Sequence, residues 1–402
     1  MTADPNKLLD EALSAAAPEL LRISHSIHAE PELAFSEHKA SELAAGYLES
    51  LGYAVERGVA GMETAFSATT GDGDLHVAIC AEYDALPDVG HACGHNIIAA
   101  AALGAGTLLA PIASSLGARI TILGTPAEEG GGGKILMLEA GTFEDVDAAM
   151  MVHPAPAEFD RMATIAAQHI DVTYTGKEAH ASAFPHLGIN AMDAMTVAQV
   201  AIGLLRQTLL PDERVHGIVT HGGDAPNIIP ARVTARYIAR ADTLARLENL
   251  IPRVRACFEA GAVATGASLD FTLPYPPYSE LITDEVMAER WRRIAAGRGR
   301  QMMDSAQAQV LRASTDMGNV SMSVPSIHPL ISIDSWPAVN HQPEFTAACI
   351  TEAADRAVLD GAYAMAALVV EMSTDHALRS RYANGAARRE LRETLAAPAS
   401  GR

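Results

Sequence analysis

Residues 76–96, HVAICAEYDALPDVGHACGHN, join a short apolar run to two acids, then to a cysteine and a histidine flanking a glycine. The run at 76–80 predicts a strand buried on both faces. Glu82 and Asp84 follow it, then Cys93 and His95 separated by Gly94, and an alanine-rich helical pattern begins directly afterwards. Two further apolar runs, 119–123 and 148–152, have the same character; Glu128 and Glu129 follow the first and His153 the second. Strands alternating with helical segments imply a largely parallel α/β sheet. In open sheets of this kind, sites form outside the carboxyl ends of the strands. Three strand ends therefore deliver acids, a thiol and imidazoles to one region.

From about residue 166 the pattern changes to strands with one wet face. Segments 169–175, 216–220 and 231–239 alternate, helical patterns cover 190–209 and 243–260, and a last strand is expected at 268–273. The order βαββαβ is ferredoxin-like. Pro274, Pro276 and Pro277 read as the linker back. The chain is thus expected to hold a domain of residues 1–165 plus 275–402, with residues 166–274 inserted as a second domain.

Composition narrows the function classes. The 402 residues carry a net charge of −20, which argues against nucleic acid or an anionic membrane surface as partner. Four scattered cysteines suit a reducing compartment better than a disulfide framework. The first residues lack the basic-then-apolar layout of a secretory signal. The longest apolar run, 97–113, is broken by Gly104, Gly106 and Pro111 and reads as a buried helix, not a membrane span. A cytoplasmic location is expected.

Cys93, His95, Glu129, His153 and His341, with Glu128 beside Glu129, form a thiolate, imidazole and carboxylate set suited to divalent transition metals. Five donors exceed the needs of one zinc-like ion and suit two ions sharing a bridging ligand and a water. Neighbouring glutamates can divide the work, one binding metal while the other moves a proton. Two other readings stand beside this one. Cys93 could be a covalent nucleophile with a histidine base, although that leaves Glu128, Glu129 and His153 without a task. A non-catalytic peptide or amino-acid sensor is the other.

Several motifs occur in register along nearly the whole chain: His28-Ala29-Glu30-Pro31-Glu32-Leu33, Glu82-Tyr83-Asp84-Ala85-Leu86-Pro87, His91-Ala92-Cys93-Gly94-His95-Asn96, Pro126-Ala127-Glu128-Glu129-Gly130 and His153-Pro154. Gly176-Lys177-Glu178-Ala179-His180-Ala181, Ala225-Pro226-Asn227-Ile228-Ile229-Pro230, Ser314-Thr315-Asp316 and His341-Gln342-Pro343-Glu344-Phe345 continue the series. Together they resemble peptidase family M-20, the aminoacylase/carboxypeptidase-type metallopeptidases and amidohydrolases, in the branch with a Cys-Gly-His metal loop. The resemblance implies a zinc-peptidase-like α/β/α sandwich catalytic domain with an inserted ferredoxin-like lid and dimerisation domain. It also implies two divalent ions, zinc or manganese first, cobalt or nickel next. Cys93 would be the shared ligand, with His95, Glu129, His153 and His341 completing the two sites.

By the same resemblance Glu128 is the general base and acid, and Asp84 orients the site. His180 matches a lid histidine that reaches the active site of the other protomer in a dimer. Asn227 lies near the substrate carbonyl, and Arg240 is a weaker match to a holder of the substrate carboxylate. The implied reaction is hydrolysis, by a metal-bound hydroxide, of an amide bond next to a free carboxylate. Candidate substrates are a dipeptide, an N-acyl amino acid or an aminobenzoyl-glutamate-like compound; hydrolysis of another C–N bond is the alternative. Homodimerisation through the lid is expected. Many relatives read His-x-Asp where this chain has Glu82-Tyr83-Asp84, so that ligand histidine is absent. Asn96 and the loop at 314–320 resemble the branch of dipeptidases and aminobenzoyl-glutamate hydrolases, while Met322 departs from the polar or aromatic residue expected there.

Overall fold

A computed structural model describes residues 5–303 and 313–396. Residues 1–4, 304–312 and 397–402, which the sequence reading assigns to the catalytic domain, lie outside them. The chain divides into two compact units, one of residues 1–163 and 281–402, the other Thr164–Glu280.

The first unit is built on a six-stranded sheet. Its order is Ala54–Arg57, Phe66–Thr70, Ala118–Gly124, Leu75–Ala81, Ala148–Met150 and Ser326–Ile327. The four strands from Ala118–Gly124 onward run parallel, and the first two pair antiparallel at one edge. The sequence pattern predicts the parallel part. It does not reveal the antiparallel edge, whose strands are short and mixed in polarity.

The apolar strands are continuous because both faces are covered. Val77 and Ile79 point into one hydrophobic cluster and Ala78 and Cys80 into another. Against the first face pack the helices His95–Leu109 and His38–Ser50, and Pro5–Ala29 and Glu352–Thr374 pack in turn on His95–Leu109. The second face is covered by residues of Gly133–Glu139 and Met317–Ser321. This is an α/β/α sandwich, as expected. Alanine dominates His95–Leu109 because its neighbours come close: a Cβ on Gly104 would lie 2.6 Å from that of Ala362. Helix Glu352–Thr374 is long and apolar enough to span a bilayer, yet 78% of its apolar window is buried within the protein.

The second unit has the element order βαββαβ. Strands Ala166–Thr175, Arg214–His221, Arg232–Ala241 and Ser268–Thr272 alternate with helices Ala191–Leu205 and Leu244–Thr265. The sheet is antiparallel throughout, with Ala166–Thr175 and Arg232–Ala241 central. Alternate residues (Ile170, Val172, Tyr174, Ala235, Tyr237) face the two helices, where Leu250, Val254 and Phe258 meet them. Each helix begins on a side-chain cap: Asn190 accepts from Met192 and Asp193 amides, and Thr243 from the Arg246 amide.

Candidate metal centre

The site lies in the first unit, at the carboxyl ends of its strands. Strand Leu75–Ala81 leads into Glu82 and Asp84, strand Ala118–Gly124 into Glu128 and Glu129, and Ala148–Met150 into His153. Cys93 and His95 arrive on the turn that opens helix His95–Leu109. Gly94 makes that turn with φ of 74°, and a Cβ there would sit 2.5 Å from Pro154 Cγ. Only glycine allows the metal-loop backbone to lie so close to the His153-Pro154 segment.

Two of the donor groups that result share Cys93. One comprises Cys93, His95 and His153; the other comprises Cys93, Glu129 and His341; within each, the donor atoms lie within 4.8 Å of one another. All five ligands expected from the sequence are therefore brought together. Asp84 Oδ1 stands 2.9 Å from His95 Nδ1, and the Pro154 carbonyl 2.8 Å from His153 Nδ1. Each contact leaves Nε2 for the cluster, the usual way in which a ligand imidazole is oriented. His95 Nε2 is buried with no hydrogen-bond partner. A softer thiolate, imidazoles and a carboxylate around orphaned buried atoms fit a zinc-like divalent pair.

The backbone is strained where it serves this cluster. Ala127 and His341, neither of them glycine, have φ of 59° and 71°. The Ala127 amide is held by Glu37 Oε1 at 2.9 Å, and the His341 amide by the Ala92 carbonyl at 2.9 Å. Glu37, itself buried and bonded to the Thr64 hydroxyl, thus fixes the turn that presents Glu128.

Electrostatics set the protonation states. Burial, then the charges of Glu82 and Glu129, raises the Glu128 carboxyl well above the usual range. Burial, then Glu129 and Glu128, raises the Cys93 thiol. Without a cation these surroundings disfavour a thiolate, which weakens the covalent-nucleophile reading. Burial lowers the His153 imidazole to about 4. At His95 burial also acts downward, but Asp84 and Glu82 outweigh it and raise the ring well above its ordinary value.

Lys134 and His328 escaped the sequence reading, which places Glu82 at a strand end without a role. Lys134 is fully buried and donates to Glu82 Oε1 at 2.6 Å and Asp316 Oδ1 at 2.7 Å. A lysine after a glycine run carries no local sign of burial. Glu82 Oε2 stands 3.4 Å from His95 Nε2. His328, also fully buried, lies tilted against His153 with ring centroids 5.5 Å apart.

The other three expected residues lie in the second unit. His180 is exposed, and its Nδ1 accepts from the Ala183 amide at 3.2 Å. Asn227 is exposed, and its carbonyl accepts from the Ala181 amide, so it shares one loop pair with His180. Arg240 is half-buried on the central strand, its Nε 3.3 Å from His216 Nε2.

A profile described as a peptidase dimerisation domain matches residues 166–265. The chain is 37% identical over 378 residues to Xaa-Arg dipeptidase of Mus musculus, covering 90% of this chain and 87% of that protein. It is 32% identical over 285 residues to one component of the p-aminobenzoyl-glutamate hydrolase of Escherichia coli, covering 66% and 59%. A dinuclear metal-binding M-20 peptidase of Bacillus subtilis superposes with a TM-score of 0.63 at 21% identity, covering 89% and 99%. A dipeptidase and an aminobenzoyl-glutamate hydrolase are the two kinds of relative that Asn96 and the loop at 314–320 pointed to. With its α/β/α sandwich, its match to the dimerisation-domain profile and a relative 37% identical over 90% of the chain, the chain belongs to the M-20 peptidase family and is a hydrolase.

Proposed function

We propose that this enzyme hydrolyses an amide bond next to a free carboxylate, using two divalent ions held by Cys93, His95, His153, Glu129 and His341. The observation that carries this reading is the pair of donor groups sharing Cys93, with Glu128 Oε2 4.0 Å from His95 Nε2. Ions bound there polarise a carbonyl and make a water acidic near neutral pH.

The remaining roles belong to the chain. Glu128, with its raised proton affinity, takes the proton of the attacking water and delivers it to the leaving amine. Asp84 keeps the His95 ring in the tautomer that offers Nε2. By family resemblance, His180 steadies the developing oxyanion from across a lid-mediated homodimer, and Asn227 and Arg240 hold the substrate carbonyl and carboxylate. A dipeptide is the leading substrate class, since the relative at 37% identity is named a dipeptidase. N-acyl amino acids and aminobenzoyl-glutamate-like amides follow. Zinc or manganese is the leading metal.

The test is a metal-supplemented turnover assay over those three substrate classes, repeated with Glu128→Gln. The variant is expected to keep its bound ions and lose about 10²–10⁴-fold in kcat. Near-normal turnover with ions bound would overturn the mechanism.

A further inference from the structure

Glu82 occupies a position that the five-ligand assignment leaves without a role. It is fully buried, and its two carboxylate oxygens have different surroundings. Oε1 receives the Lys134 ammonium at 2.6 Å. Oε2 has no hydrogen-bond partner and lies 3.4 Å from His95 Nε2, itself buried and without one. Asp84 faces the other ring nitrogen of His95, so a ring that gives up its Nε2 proton to an ion turns that lone pair towards Oε2. Oε2 and Nε2 thus converge on one point shielded from water, where a positive charge, the ring's own proton or a bound cation in its place, offsets the buried carboxylate.

The spacing suits one. Two donors on a single tetrahedral zinc-sized ion, each about 2.0–2.1 Å from it, stand roughly 3.3–3.4 Å apart. Glu82, His95 and Glu128 moreover form a third donor group whose atoms lie within 4.8 Å of one another. Lys134 explains how a carboxylate can be kept there. Its Nζ ties Oε1 while a second contact to Asp316 Oδ1 at 2.7 Å holds the ammonium in place. The Lys134 amide donates to Asp316 Oδ2 at 2.9 Å, which fixes that carboxylate in turn.

We infer that Glu82, anchored through Oε1 by Lys134, is a direct ligand through Oε2 to the ion that His95 holds. This rests on the dinuclear reading of the site. It adds an oxygen donor to one of the two ions and makes their surroundings unequal: the ion on the Glu129–His341 side lacks this anchored carboxylate.

The experiment measures metal binding by wild type, Glu82→Gln and Glu82→Asp. Stoichiometry and affinity for zinc are read by dialysis and chelator competition, and coordination by the visible spectrum of the cobalt-loaded protein. Wild type is expected to bind two ions per chain. In Glu82→Gln one affinity should fall by more than the roughly 10–100-fold typical of losing an outer hydrogen-bonding partner, with a changed cobalt spectrum. Glu82→Asp keeps the charge but withdraws it by one methylene, and it should weaken the same ion; it carries the test if the glutamine variant does not fold. Two ions bound with wild-type spectrum in both variants would overturn the assignment and leave the dinuclear reading standing. A wild type that binds no divalent ion would sink both.

Discussion

The two units treat polar groups in opposite ways. Around the first unit's strand ends, Glu37, Glu82, Asp84, His91, His95, Glu128, Lys134, Asp316 and His328 are all buried. Among the described residues of 164–280, the buried polar side chains are only Gln168, Glu213 and Ser279, and the charged groups of its sheet lie on the open face. Arg236 and Asp171, for example, stand 3.7 Å apart with 75% and 43% of their side chains exposed. Burying charge is costly unless it is paired and hydrogen-bonded. The first unit accepts this cost within a small volume at its strand ends, while the second keeps its interior apolar.

The contrast can be tested by removing one charge from each setting. Replacing Lys134 with Met leaves Glu82 and Asp316 facing each other without their cation. The expected loss is about 3–5 kcal/mol of folding stability, measured by denaturant titration. A loss under about 1 kcal/mol would mean that the buried network is not held by its lysine.

Acid should expose the same difference. Burial, then the nearby His95 and His28, lowers His91 to about 3. His328 lies well below its ordinary value for the same first reason. In the unfolded chain both titrate near about 6.5, so below that pH the unfolded state binds more protons. Their contribution is present above about pH 6.5 and is lost as pH falls towards the folded values, by up to about 1.4 kcal/mol per pH unit for each ring. The measurement is metal-free stability from neutral pH down to about pH 4, and His91→Gln should make the decline shallower. An unchanged slope would show that His91 is not the group responsible.

Effects in the second unit should be smaller and follow ordinary local rules. Asn190→Ala removes the cap on helix Ala191–Leu205, with an expected loss of about 1 kcal/mol. Arg236→Ala breaks an exposed pair and should cost no more than about 0.5 kcal/mol, falling further in high salt. If Arg236→Ala proved as damaging as Lys134→Met, the division between a charged site and an apolar scaffold would fail.

Much of this molecule can be read before folding is considered. The apolar runs at 76–80, 119–123 and 148–152 became the parallel strands because a strand buried on both faces has no polar alternation to lose. The alternating segments of the second unit became its antiparallel sheet because each has one wet face. Cys93, His95, Glu129 and His153 were recognisable because each follows a strand or opens a helix, where α/β architecture concentrates sites. Short, mixed segments such as Ala54–Arg57 and Phe66–Thr70 gave no such sign.

The sequence by itself determined the layers of the fold, the family and a set of donors, since all of these depend on short-range periodicity and motif order. Only tertiary structure decided that Lys134 is an interior cation. It also decided that Glu82 turns one oxygen to that cation and the other to His95. The physical reason is separation along the chain: Lys134 meets Glu82 across 52 residues and Asp316 across 182. Nothing local distinguishes a lysine that will be paired inside the protein from one that will stay in water. The charge balance of a buried site exists only once distant strand ends have been folded side by side.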